Sequence, residues 1–139
     1  MARGTTDAKR MLDAMRWRNR ILVVASEAPD EMIDRQLADI AVQATGWSDR
    51  DLVTILAFRD RGFLVEDASG GMAAAEPLGA GVADAIRSRF DLAGEGFEAV
   101  LVGKDGGVKA RYAAVVAPEG IFPFIDAMPM RIDEMEAGR

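Results

Sequence analysis

Two runs along the chain are almost continuously apolar, Ile21-Leu22-Val23-Val24-Ala25 and Leu52-Val53-Thr54-Ile55-Leu56-Ala57-Phe58. Short runs rich in β-branched residues predict strands covered on both faces. Between them the period changes to that of a helix. Ile33, Leu37, Ile40, Ala41 and Ala44 fall on one side, and Asp34, Arg35, Asp39 and Gln43 on the other. Ser26-Glu27-Ala28-Pro29-Asp30 supplies capping side chains and a proline suited to the first turn, and Gly46 is placed to end the helix. Strand, helix, strand predicts a βαβ unit with parallel strands and a right-handed crossover.

The flanks read less evenly. Ala8, Met11, Leu12 and Met15 predict a short amphipathic helix over 6–17, capped by Asp7. Between 59 and 81 the pattern allows one short strand at 63–65 and then an irregular loop through Pro77. Val82, Ile86 and Phe90, spaced by four, mark another helix, with Gly94 and Gly96 as breakers. A hairpin follows, with strands over 97–102 and 108–116, because Lys104-Asp105-Gly106-Gly107 can take the positive φ of a tight turn. Pro118 opens a last helix carrying Ile121, Phe122, Phe124 and Ile125; Pro129 should stop or kink it, with one further turn within 130–139.

Composition bears more on chemistry than on fold. The 139 residues, half of them hydrophobic, suit one domain spanning 1–139, with 1–16 as a helical arm and 130–139 as an extension. There is no cysteine and no histidine. Thiol nucleophiles, disulfides, thiolate or imidazole metal sites and Ser-His-Asp relays are excluded, and no cofactor is expected. The net charge of −6 weighs against nucleic-acid binding. The first twenty residues are a local exception, where Arg3, Lys9, Arg10, Arg16, Arg18 and Arg20 outnumber Asp7 and Asp13; that balance suits either an anionic partner or a solvated arm on an acidic body. No apolar run approaches the roughly 20 residues of a membrane span. The N-terminus lacks the apolar core of a signal peptide, and a leader removed before Met1 would leave the compartment open.

Several residues are candidates for a site. Lys104, Lys109, Arg111 and Arg131 could surround an anion together with the Gly106 and Gly107 amides, or could be surface ion pairs. Asp126 and Arg131 flank Pro129, and a structural tie between them, or from Arg131 to Asp105, is the simpler account. Trp17 is expected as an anchor under the sheet. Glu27, Asp30 and Glu31 could serve a metal or acid-base chemistry, although a helix start favours acidic side chains for its dipole. Met128 and Met130 should fill space in the last helix.

The run Arg16-Trp17-Arg18-Asn19-Arg20, then Gln36, Arg50-Asp51-Leu52-Val53, residues 101–109 with Lys104-Asp105-Gly106-Gly107, and Ile125-Asp126-Ala127-Met128-Pro129-Met130-Arg131-Ile132-Asp133-Glu134-Met135 resemble the family called domain of unknown function 4174. Its members are small bacterial proteins, and similar domains occur in some vertebrate extracellular matrix proteins. The resemblance implies a thioredoxin-like, peroxiredoxin-related α/β fold: a four-stranded mixed sheet ordered 2-1-3-4 with helices on both faces. It also implies export or a periplasmic location, and no established reaction. Redox-active proteins of that fold hold their thiol where this chain has Ser26, Glu27, Pro29, Asp30 and Glu31, so that position is empty of sulfur apart from nearby Met32. Their cis-proline would fall near Gly96, where no proline occurs, and trans bonds are expected there. A non-catalytic module that binds a protein partner or a small anion, with a homodimer as one form, is the leading expectation. A divergent oxidoreductase-like enzyme is its rival.

Overall fold

The computed structural model describes residues 2–92 and 95–138. The chain opens with α1 (Ala2–Met15), which starts earlier than its apolar period implies. β1 (Arg20–Ala25) follows and is buried along its whole length. Asp30 then caps α2 (Glu31–Val42) by accepting a hydrogen bond from the Ile33 N–H at 3.1 Å. Pro29 precedes that cap instead of sitting in the first turn.

Gly46 does not end a helix. The chain turns at Gln43 and re-enters α3 (Ala44–Asp49) with Gly46 inside it. A Cβ at Gly46 would stand 2.8 Å from the Phe122 ring and 3.2 Å from the Arg50 guanidinium. The glycine therefore permits a close approach, and it does not break the helix.

β2 (Leu52–Ala57) runs parallel to β1, with Arg20 opposite Leu52 and Ala25 opposite Ala57. The short strand expected at 63–65 is present, and the stretch after it, expected as loop, is more regular. β3 (Gly62–Val65) pairs antiparallel with β2, a 3-10 helix covers Ala68–Ala74, and β4 (Ala75–Pro77) pairs with β3 at the sheet edge. An edge strand of three residues tolerates Pro77, and its shortness hides it from any periodicity test.

After α4 (Val82–Arg89), β5 (Glu98–Val102) enters antiparallel to β1, and β6 (Val108–Tyr112) returns antiparallel to β5 with a bulge near Val102. Gly94 lies outside the described residues. Gly96 is exposed, and none of the described peptide bonds is cis. β6 stops at Tyr112, short of Val116, because the Val116 backbone turns to a side chain: Gln36 Nε2 donates to its C=O at 2.9 Å, and its N–H donates to Gln36 Oε1 at 3.0 Å. α5 (Pro118–Asp126) and α6 (Pro129–Glu136) close the chain, with Pro129 as the first residue of the new helix.

Among the described residues the sheet thus has six strands, in the order β4-β3-β2-β1-β5-β6. It is two strands wider than expected. Alternate residues of the central strands feed two cores. Leu22, Val24, Leu56 and Leu101 meet Ile33, Ile40, Trp47, Ile121 and Ile125 on one face. Val23, Ile55 and Val100 meet Ala8, Val82, Ile86 and Phe90 on the other.

Trp17 belongs to neither core. It is 62% exposed, whereas Trp47 is 1% exposed and takes the anchoring place. The cause is the turn into β1, where Trp17 adopts φ 69 and gives its N–H to the Lys104 C=O at 2.6 Å.

Candidate functional site

Arg20 begins β1 and its side chain is almost wholly buried, which in a protein interior requires a partner. Glu134 of α6 supplies it. Arg20 Nη1 and Nη2 donate to the two Glu134 oxygens at 3.1 and 3.2 Å, and Nη1 also donates to the Arg50 C=O at 3.0 Å. Lys104, at the start of the hairpin turn, donates to Glu134 and to Asp51 Oδ2, the latter at 2.8 Å. Asp51 reaches that position from φ 54 just before β2, a conformation aspartate tolerates better than most residues.

The network continues through Arg131 and Asp126. Arg131 donates to Asp49 Oδ2 at 2.6 Å and to Asp126 Oδ1 at 3.1 Å, and stands 3.5 Å from Glu134. Arg50 forks onto Asp126 at 3.0 and 2.8 Å while its guanidinium carbon lies 3.9 Å from the Phe122 ring centroid. Four cations (Arg20, Arg50, Lys104, Arg131) thus meet four carboxylates (Asp49, Asp51, Asp126, Glu134), and the cluster is neutral. The only buried residue of α6 is Arg131, so this helix is attached through charge and not through an apolar stripe.

The charges answer one another electrostatically. Burial pushes the Glu134 carboxyl up, but hydrogen bonds from Arg20 and Lys104 outweigh it and hold the group below the usual carboxylate range. The Arg50 hydrogen bond holds Asp126 low, against burial and with help from Arg131. Burial lowers Arg131, and the bonds to Asp49 and Asp126 more than reverse that. These groups stay charged at neutral pH.

An open groove of about 480 Å³ lies beside this network, between the hairpin and the α5–α6 junction. Val108, Phe124, Met128, Pro129 and Met130 are its apolar lining, and Arg20, Gly103, Lys104, Asp105 and Lys109 also line it. Val108, Phe124 and Met130 are large apolar side chains left exposed. The hairpin turn beside the groove is hydrogen-bonded within itself. Gly106 takes φ 87, the Gly107 N–H donates to Asp105 Oδ1 at 2.9 Å, and Lys109 donates to Asp105 Oδ2 at 2.8 Å. The Lys109 and Gly107 hydrogen bonds hold the Asp105 carboxyl below its ordinary range.

The four basic residues expected around an anion do not converge. Lys104 and Lys109 line the groove. Arg131 lies with Asp49 and Asp126, and Arg111 points elsewhere, giving a hydrogen bond to the Phe90 C=O at 2.6 Å with Glu98 at 3.6 Å. Glu134, Asp49, Val108 and Phe124 are not among the site residues expected from the sequence. Glu134 follows Arg131 by three residues on the same helical face, and Phe124 falls off the Ile121–Ile125 stripe, so both signals were available.

At the opposite end of β1 the corner from Ser26 to Glu31 is organised as a helix start. Buried Ser26 donates from its hydroxyl to Asp30 Oδ2 at 3.3 Å, and Asp30 uses its other oxygen as the cap of α2. Exposed Glu27 pairs with Arg59 at 3.1 Å. Among the described residues no three carboxylates stand close enough together to hold a metal ion. A second, more polar groove of about 430 Å³ passes Glu31 and Met32 and is bounded by Arg35, Asp39 and residues of the 114–117 segment.

Among the described residues no helix is long and apolar enough to cross a membrane. No solved structure matches the chain. The model of the family described as Domain of unknown function (DUF4174) matches residues 11–134. With nearly the whole chain matched, the protein belongs to that family.

Proposed function

For this member of the DUF4174 family, we propose a non-catalytic binding module, one domain of thioredoxin-like architecture whose working surface is the groove between the hairpin and Pro129. The architectural part of the reading is supported by the run β2-β1-β5-β6, in which β1 and β2 are parallel and β5 and β6 antiparallel, with helices on both faces. The observation that carries the functional part is the groove, where exposed Val108, Phe124 and Met130 share a concave surface with Lys104 and Lys109. Concave apolar surfaces with a few fixed polar groups are where proteins take ligands. At the Ser26 corner Ser26 and Asp30 are engaged in a helix cap and Glu27 in an ion pair, and the neighbouring groove is lined from that corner by Glu31 and Met32.

Peroxide consumption and disulfide reduction by the purified protein test this reading. The expected result is no turnover above buffer. Turnover abolished by Ser26→Ala or Glu31→Gln would defeat it and place an enzyme at that corner.

A further inference from the structure

Three cations and one carboxylate line the groove together with Val108, Phe124, Met128, Pro129 and Met130. Two features of these polar groups bear on the charge of an occupant. An ammonium has three donors, of which Asp51 and Glu134 take two from Lys104. Lys109 is only partly buried, and its partner Asp105 is half exposed. Each of the three cations already has a carboxylate partner. Among the residues that line the groove, however, cations outnumber carboxylates three to one, so an anionic headgroup meets the better complement. A neutral apolar occupant would strip water from Lys109 without giving it a new partner.

We propose that the groove binds a small amphipathic monocarboxylate, with its headgroup between Lys104 and Lys109 and its apolar tail along Val108, Phe124, Met128 and Met130. This rests on the reading of the groove as the working surface, and names its ligand class. The volume of about 480 Å³ lies within the span typical of small-molecule sites. Unbranched, polarisable methionines beside a phenylalanine make a wall that adjusts to a flexible tail. The headgroup gains charge-assisted hydrogen bonds that an alcohol of the same length lacks.

Isothermal titration of the full chain with hexanoate, octanoate and decanoate, each beside the matching primary alcohol, tests the proposal. The expected result is one site, a dissociation constant that falls roughly two- to fourfold for each added methylene, and alcohols about tenfold weaker than the acids. Lys109→Gln, at a partly exposed position, should weaken decanoate at least fivefold and leave decanol unchanged. Phe124→Asp, on the exposed wall, should abolish both. Absence of decanoate binding at millimolar concentration overturns the proposal, as does equal affinity for acid and alcohol. A dimer in sedimentation that Phe124→Asp dissociates would assign the groove to a second copy and overturn it too. Failure here is separable from failure of the binding-module reading, which falls only on turnover at the Ser26 corner.

Discussion

The two ends of β1 treat charge in opposite ways. At its start, buried Arg20 opens a neutral cluster of eight charged side chains that fastens α6 to the sheet, and two of them, Arg20 and Lys104, line an open groove. At its finish, Ser26 and Asp30 make a helix cap beside Glu27 and Glu31, whose side chains lie in solvent. A buried ion pair contributes little net stability compared with an apolar substitute, but losing one partner is costly because the other is stranded. Charge at the Arg20 end therefore fixes geometry, and charge at the Ser26 end shapes a local turn.

The sharpest way to break this contrast is Glu134→Ala. It strands Arg20 and leaves Lys104 with Asp51, and should cost about 3 kcal/mol, read from urea unfolding, with the amides of α6 losing protection from hydrogen exchange. A loss below about 1 kcal/mol would put the cluster in the class of surface pairs.

The pH dependence of stability is the next largest effect. Glu134 and Asp126 both titrate lower in the folded protein than in the unfolded chain. The unfolded chain therefore takes up their protons first as pH falls. Their stabilisation is complete above the ordinary carboxylate range of about pH 4 to 4.5, and is lost as pH drops through their depressed folded values. Unfolding free energies measured between pH 7 and 2.5 should stay level at first and then fall, and Glu134→Gln should flatten part of that fall.

The smallest effect belongs to the other end. Asp30→Ala removes one helix cap and should cost about 1 kcal/mol in the same urea experiment. A larger loss than that of Glu134→Ala would reverse the comparison.

How much of this was legible in the sequence follows from the range of the forces involved. β1, α2, β2 and the hairpin could be read because apolar period and turn chemistry are local signals. β4 could not, since three residues carry no period. Gly46 misled because its role depends on Phe122, which arrives from α5 far along the chain. Trp17 misled because a turn held by the Lys104 carbonyl points it outward. Residues quoted for the family resemblance, among them Arg20, Arg50, Asp51, Lys104, Asp126, Arg131 and Glu134, make up most of the ion cluster. Their charges showed in the sequence, but not which cation meets which carboxylate, because partners up to 114 residues apart are joined only by the tertiary fold.

Methionine methyl NMR reports both ends of β1 in one spectrum, with Met128 and Met130 on the groove beside Arg20 and Met32 on the groove beside Glu31. Titration with decanoate should shift the Met128 and Met130 methyls in a saturable way and leave Met32 in place. Movement of Met32 with Met128 and Met130 silent would place ligand engagement at the Ser26 end and contradict the account.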